Sequence, residues 1–300
     1  MSDVMTIFNR AAVRHHRERA ARSFGDFNFL FTECAERLGD RLLDITRTFP
    51  TALDLGCHDG AMARFIPPRS AVETLVHCDL SPAMAGLAQA NSGCLAMAGD
   101  EEFLPIRDQS LDLVVSNLSL HWVNDLPGAM TQIRRALKPD GLFLAAMLGG
   151  ETLKELRDAL TTAEIEREGG LSPRTSPFAE VKDAGNLLSR AGFALPVADT
   201  ETITVSYADP LKLMADLRGM GETNAHALRR PSFSRRTTLM RACEIYLEKF
   251  ATGDGRLPAT FEIVYLTAWV PHESQQKPLQ PGSGQVSLGT LFLGDDAEVS

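Results

Sequence analysis

Leu53-Asp54-Leu55-Gly56-Cys57-His58-Asp59-Gly60 is the stretch on which the fold turns. A short apolar run, read as a buried strand, carries the chain into a glycine turn whose small residues let the backbone approach a ligand. A second apolar run, Leu75-Val76-His77-Cys78, then closes on an acid, Asp79, placed to accept the hydroxyls of a ribose. This is how a nucleotide-like ligand is held. A glycine turn after a strand is weak by itself, and what makes this one specific is the order of the segments behind it. Gly99-Asp100-Glu101-Glu102 follows a third short run, Leu111-Asp112-Leu113-Val114-Val115-Ser116-Asn117 forms a fourth, and Leu137-Lys138-Pro139-Asp140-Gly141 turns into Leu142-Phe143-Leu144-Ala145-Ala146-Met147.

Working outward, short β-rich runs alternate with helical patterns up to about residue 148, which predicts βαβ units and a parallel sheet. Residues 26–47 read as a helix ahead of the first strand. Ser81-Pro82 and Asp125-Leu126-Pro127 each place a capping side chain before a proline, the signature of a helix start. Helical patterns return over 151–168 and 181–190, the latter stopping at Gly192. Thr200–Tyr207 and Ala259–Val270, rich in β-branched and aromatic residues, are expected to form a final antiparallel pair, with helical segments 210–217 and 233–250 inserted between them. The organisation read this way is an N-terminal helical segment (1–48), an α/β core (49–207), a helical insert (208–258), the last strand (259–270) and a poorly ordered tail (271–300) rich in Ser, Gln, Gly and Pro.

Composition narrows the function classes. A net charge of −9 and a pI near 5.3 argue against a general nucleic-acid binder, which needs a surplus of Lys and Arg. The five cysteines are odd in number and lack a CxxC pair, so neither a zinc site nor a disulfide framework is indicated and no metal ligands are assigned. No apolar window is long enough for a membrane span. The segment Arg10–Arg22 is arginine-rich and acid-poor, as mitochondrial transit peptides are, but it runs directly into helical periodicity and reads as a basic helix of the mature protein. A second basic run, Arg229-Arg230-Pro231-Ser232-Phe233-Ser234-Arg235-Arg236, either is a solvated helix start or joins the N-terminal arginines in docking an acidic protein surface.

The ordered motifs resemble those of the class I S-adenosylmethionine-dependent methyltransferases. That resemblance implies a Rossmann-like α/β fold, a mostly parallel seven-stranded sheet with helices on both faces, and S-adenosyl-L-methionine as cofactor. It carries over a cofactor role to Asp54, Gly56 and Gly60 around the first turn, to Asp79 and the adjoining Leu80 at the ribose, and to Asp100 and Glu101 near the adenine. His58 departs from the pattern, which usually has a second glycine there, so its side chain contacts the ligand, crowds it, or is an ordinary loop histidine. Asn117 and His121, following the fourth strand where the crevice of a parallel sheet opens, are the candidates for contact with the reacting group; His121 is a base, an orienter, or packing at a helix start with Trp122. His77-Cys78-Asp79 also spells the H-x-D pair of non-haem iron sites, a weak match without a distal histidine in context.

Outside the cofactor motifs, Met5–Arg10, Ala146–Arg157, Ala163–Pro173, Ser176–Phe178, Asp216–Asn224 and Pro258–Ile263 resemble the mitochondrial respiratory complex I assembly factor 5 family. The resemblance implies an enzyme that hydroxylates an arginine on the quinone-proximal iron–sulfur subunit of complex I, with a protein substrate, no nucleic acid, and a bacterial cytosolic or mitochondrial matrix location. Two alternatives stand beside it: a conventional methyltransferase such as the malonyl-carrier-protein O-methyltransferase of biotin synthesis, and a non-catalytic assembly chaperone.

Overall fold

Apolar side chains on both faces of consecutive strands build one sheet. In a computed structural model, which describes residues 6–178, 180–230, 232, 234–276 and 283, the strands are β1 (Thr51–Leu55), β2 (Thr74–Asp79), β3 (Leu95–Ala98), β4 (Leu111–Asn117), β5 (Leu137–Leu148), β6 (Ala194–Tyr207) and β7 (Leu257–Trp269). Their order is β3-β2-β1-β4-β5-β7-β6, with β7 antiparallel to both its neighbours and the first five strands parallel. Along β4 and β5 alternate residues enter opposite cores: Leu113, Val115, Leu142, Leu144 and Ala146 pack on one face, and Val114, Phe143 and Ala145 on the other. A strand buried on both sides reads as a continuous apolar run.

The first core is closed by α2 (Phe29–Leu43), α6 (Lys154–Glu168), α8 (Pro210–Gly219) and α9 (Arg236–Phe250), the second by α5 (Leu126–Ala136) and α7 (Val181–Arg190). The remaining helices are α1 (Arg10–Ala20), the short α3 (Met62–Phe65) and α4 (Pro82–Ser92). The predicted caps form: Ser81 accepts from the Met84 N–H at 3.3 Å and Asp125 from the Gly128 N–H at 2.9 Å. The predicted insert lies between β6 and β7, and α6 packs along α9, so this lobe draws on a helix from the segment ahead of β6.

Several boundaries differ from the sequence reading; β6 begins at Ala194 rather than Thr200 and β7 at Leu257 rather than Ala259. The helix expected over 26–47 begins at Phe29, because Phe24–Asp26 forms a 3-10 turn that buries Phe24. The helix expected from residue 151 begins at Lys154, after Leu153 adopts φ +55°. Lys138–Gly141 is a bulge inside β5 rather than a turn ahead of it: Leu111 pairs with Leu137 and Leu113 with Leu142, so the extra residues bow out. Gly141 permits this, since a Cβ there would meet the Lys138 carbonyl oxygen at 2.9 Å. The tail assigned to 271–300 falls mostly outside the described residues.

Candidate functional site

The sheet order reverses between β1 and β4, and the crevice at the carboxyl ends of parallel strands opens at such a point. The sequence motifs converge there. Asp54, near the end of β1, lies in register with His77 of β2, whose Nδ1 is 3.0 Å from Asp54 Oδ2 and whose Nε2 is 3.0 Å from Ser92 Oγ. Burial raises the Asp54 pKa above the usual carboxylate range, and its Oδ1 meets no polar partner. Gly56 takes φ +70°, and a Cβ there would meet Ser119 Oγ at 2.0 Å, so the turn lets the residues after β4 close onto it. Asp79 Oδ1 accepts from the Ser81 N–H at 2.8 Å and Oδ2 from the His58 N–H at 3.2 Å.

His58 packs among aromatic side chains. At φ +50° its ring stacks on Phe24 at 5.7 Å between centroids, meets Phe31 edge-on at 4.5 Å, and bonds through Nε2 to the Leu118 carbonyl at 3.2 Å. Burial and then the charge of Arg17 lower its pKa, so the imidazole is neutral. Asn117 turns its Nδ2 toward the Phe31 carbonyl at 2.8 Å and leaves Oδ1 without a partner. Leu80 packs with Phe8 and Trp122. His77 and Asp79 bond to different partners, and among the described residues no group of three or more His, Cys, Asp or Glu could hold a metal ion.

Two arginines of the segment read as a basic helix, to which no role in the crevice was assigned, dominate the electrostatics. Arg17, 1% exposed, reaches from α1 into the crevice: Nη1 lies 3.0 Å from Glu101 Oε1 and 3.3 Å from Asp79 Oδ2, and Nη2 donates to Ser119 Oγ at 2.8 Å. Arg10 bonds Asp100 at 2.6 Å and also Glu101. Burial opposes the Glu101 charge, but Arg17 and Arg10 outweigh it and hold the carboxyl well below its ordinary range. The expectation that the N-terminal arginines act together as a docking face is therefore corrected for these two. Nor does the second basic run stand apart, since Arg230 pairs with Glu168. The signal for Arg17 was present in its position: Val13, His16, Arg17 and Ala20 form one buried helical stripe.

These residues suit S-adenosylmethionine. Buried, unpartnered oxygens of Asp54 and Asn117 and the free Nδ1 of His58 surround the turn. The Arg17–Asp79 contact, at 3.3 Å, is long for a charge-assisted bond, so a ribose hydroxyl can take that acceptor while Arg17 remains on Glu101 and Ser119.

Beside the crevice lies a cavity of about 570 Å³ between the sheet and the lobe of α6, α8 and α9, sharing Phe31, Leu118 and Trp122 with the motif cluster. His121 faces it indirectly. Its Nε2 is 3.0 Å from Glu222 Oε2, a carboxylate that also accepts from Trp122 Nε1 at 3.1 and 3.2 Å. Glu222 lies in a segment quoted above for its family likeness, but nothing in its spacing marked it as buried beside His121. His16 lines the same cavity, and burial, then Arg19, lower its pKa to about 4. An unfolded histidine titrates near 6.5, so between these values the unfolded chain binds the extra proton and acid favours unfolding. Stability is expected to fall from about pH 6.5 toward 4, and His16→Gln should flatten that slope in urea titrations at stepped pH.

The strand order, the reversed β7 and the acids at the carboxyl ends of β1, β2 and β3 define a methyltransferase-type α/β protein, and a methyltransferase domain model matches residues 53–145. The solved YcgJ protein of Bacillus subtilis superposes with a TM-score of 0.56 at 15% identity, over 78% of this chain and 98% of that one. Phosphoethanolamine N-methyltransferase 2 of Haemonchus contortus, solved with S-adenosyl-L-methionine, does so at 0.53 and 14% identity, over 87% and 60%. Sequence similarity is stronger: arginine-hydroxylase NDUFAF5 of Danio rerio is 43% identical over 290 residues, covering 96% of this chain and 90% of the relative, and the human protein is 44% identical over 96% and 84%. Malonyl-[acyl-carrier protein] O-methyltransferase of a Methylovorus strain is 34% identical over 88% and 90%. The chain belongs to the NDUFAF5 family, within the methyltransferase superfamily of enzymes.

Proposed function

We propose that this chain binds S-adenosyl-L-methionine at the carboxyl ends of β1 and β2 and hydroxylates an arginine of a protein substrate, the quinone-proximal iron–sulfur subunit of respiratory complex I. The observation that carries it is the similarity to arginine-hydroxylases over nearly the whole chain, lobe included. In the binding reading Asp79 accepts the ribose hydroxyls, Asp100 and Glu101 border the adenine beside Leu80, Gly56 and Gly60 allow close backbone approach, and Asp54 and Asn117 face the methionine end. When bound, S-adenosylmethionine supplies an electrophilic methyl group on a sulfonium. Inserting an oxygen atom into a side chain is a two-electron oxidation, so the hydroxylation also takes an oxidant. The protein's part is placement: the lobe seats the acceptor, and His121, bonded to Glu222, holds the far wall of the cavity in one orientation. No described helix is long and apolar enough to cross a membrane.

A second reading rests on the 34% identity to a malonyl-carrier-protein methyltransferase, with arginines such as Arg174 and Arg229 on the cavity wall to meet an anion. Deleting the gene and comparing peptide masses of the iron–sulfur subunit separates the readings. Loss of one oxygen from an arginine is the expected result. Loss of a methyl group would replace hydroxylation by methyl transfer, and an unchanged subunit would overturn the assignment of this substrate.

A further inference from the structure

We propose that Glu222 is the residue that receives the substrate's guanidinium, making it the specificity determinant of the cavity; this rests on the arginine reading above. Among the described residues lining the cavity, Glu222 is the one acid. Its side chain is 6% exposed, and burial pushes its pKa up, but the charge of His121, then the bonds from His121 and Trp122, outweigh that and hold the carboxyl below its ordinary pKa. A buried charge is tolerated where its lone pairs are filled. Here Oε2 takes both His121 Nε2 and Trp122 Nε1, while Oε1 has the indole at 3.2 Å and capacity for a further donor.

The surroundings select a particular cation. Leu156, Leu160, Met214, Leu217 and Phe178 give the cavity apolar walls that suit a methylene stem, and Trp122 adds an aromatic wall next to the carboxylate. A planar guanidinium can bond a carboxylate through two N–H groups at once, whereas an ammonium presents a point charge. Glu222 pairs with His121, and among the described residues no arginine is bonded to it. Of the four arginines on the cavity wall, Arg174 and Arg230 are bonded to Glu164 and Glu168 and Arg229 to the His226 carbonyl, while Arg218 has no ion pair among the described residues; Arg17, behind the wall, is bonded to Glu101, Asp79 and Ser119. The carboxylate is also rigid, because Trp122 is fixed edge-on against Phe8 at 5.4 Å and His121 against Phe178 at 5.8 Å.

The test uses the full chain and two blocked amino acids, N-acetyl-arginine N-methylamide and its neutral isostere, the citrulline derivative, followed through the Trp122 indole N–H resonance. The arginine derivative is expected to bind at least about tenfold more tightly than the citrulline one. Glu222→Gln should abolish that preference and Glu222→Asp should keep part of it, a comparison of two ligands on one folded protein that loss of stability does not imitate. Equal binding of the two ligands, no binding of arginine, or a preference that survives in Glu222→Gln would overturn the proposal. Returning each variant to deletion cells keeps the two hypotheses apart. If the arginine oxygen is lost on deletion yet restored in full by Glu222→Gln, the role of Glu222 fails while hydroxylation stands; if deletion leaves the arginine unchanged, hydroxylation fails and the ligand comparison alone decides what Glu222 binds.

Discussion

Arg17→Met is expected to cost the folded protein roughly 3–5 kcal/mol, the range for removing one partner of a buried ion pair. The guanidinium is almost fully buried, and its three bonds reach two carboxylates and a hydroxyl that have no water to turn to. A methionine of similar length fills the space but leaves Glu101 with Arg10 as its one bonded cation and Asp79 with only the backbone N–H groups of His58 and Ser81. The loss should depend on pH with a definite sign. Glu101 is held below its ordinary value in the folded protein, so its contribution is complete above the unfolded carboxylate pKa near 4.5 and fades as pH falls through the lower folded value. Urea midpoints of wild type and variant should thus lie furthest apart near neutrality and converge on the acid side. A constant separation would mean that the contribution of Arg17 is packing, not charge. Arg17→Lys, which keeps the charge but not the fork, should fall between the two.

That the arginine went unread while the acids did not has a physical cause. The parallel core was legible because a strand covered on both faces must be apolar throughout, and β1, β2, β4 and β5 each announce themselves as such runs. The acids were legible because the ends of such strands are fixed by the same runs, which places Asp54, Asp79 and Asp100 at one edge of the sheet. Arg17 belongs to a helix packed over that edge, and an arginine repeated at Arg10, Arg14, Arg17 and Arg19 looks like a charged face until tertiary contacts choose two of them. Glu222 is harder still. It follows Gly221 at φ +81°, in a connection whose path depends on α8 meeting α1 and on nothing periodic in the chain. His58 shows the reverse case: the motif exposed the departure from glycine, but only the neighbours Phe24 and Phe31 reveal that its ring is held among aromatic side chains.

Asp79→Ala should reduce affinity for S-adenosyl-L-methionine at least about 100-fold by calorimetry, since two hydroxyl bonds to a carboxylate contribute on the order of 3 kcal/mol together. The variant keeps Arg17 on Glu101 and Ser119, so the α1 cover stays in place and the loss reports on the ribose contact. Binding unchanged from wild type would remove Asp79 from the cofactor site and with it the assignment of the second motif. Read together with Arg17→Met, the measurement separates two arrangements of the same residues. If ribose and Arg17 share Asp79, removing the arginine weakens the cofactor by disordering α1. If they compete, the arginine variant binds the cofactor more tightly although it folds less stably, because the 3.3 Å Arg17–Asp79 contact is the one the ribose must replace. The length of that contact against the 3.0 Å to Glu101 favours competition at Asp79 alone, with Arg17 pivoting on Glu101 rather than leaving the crevice.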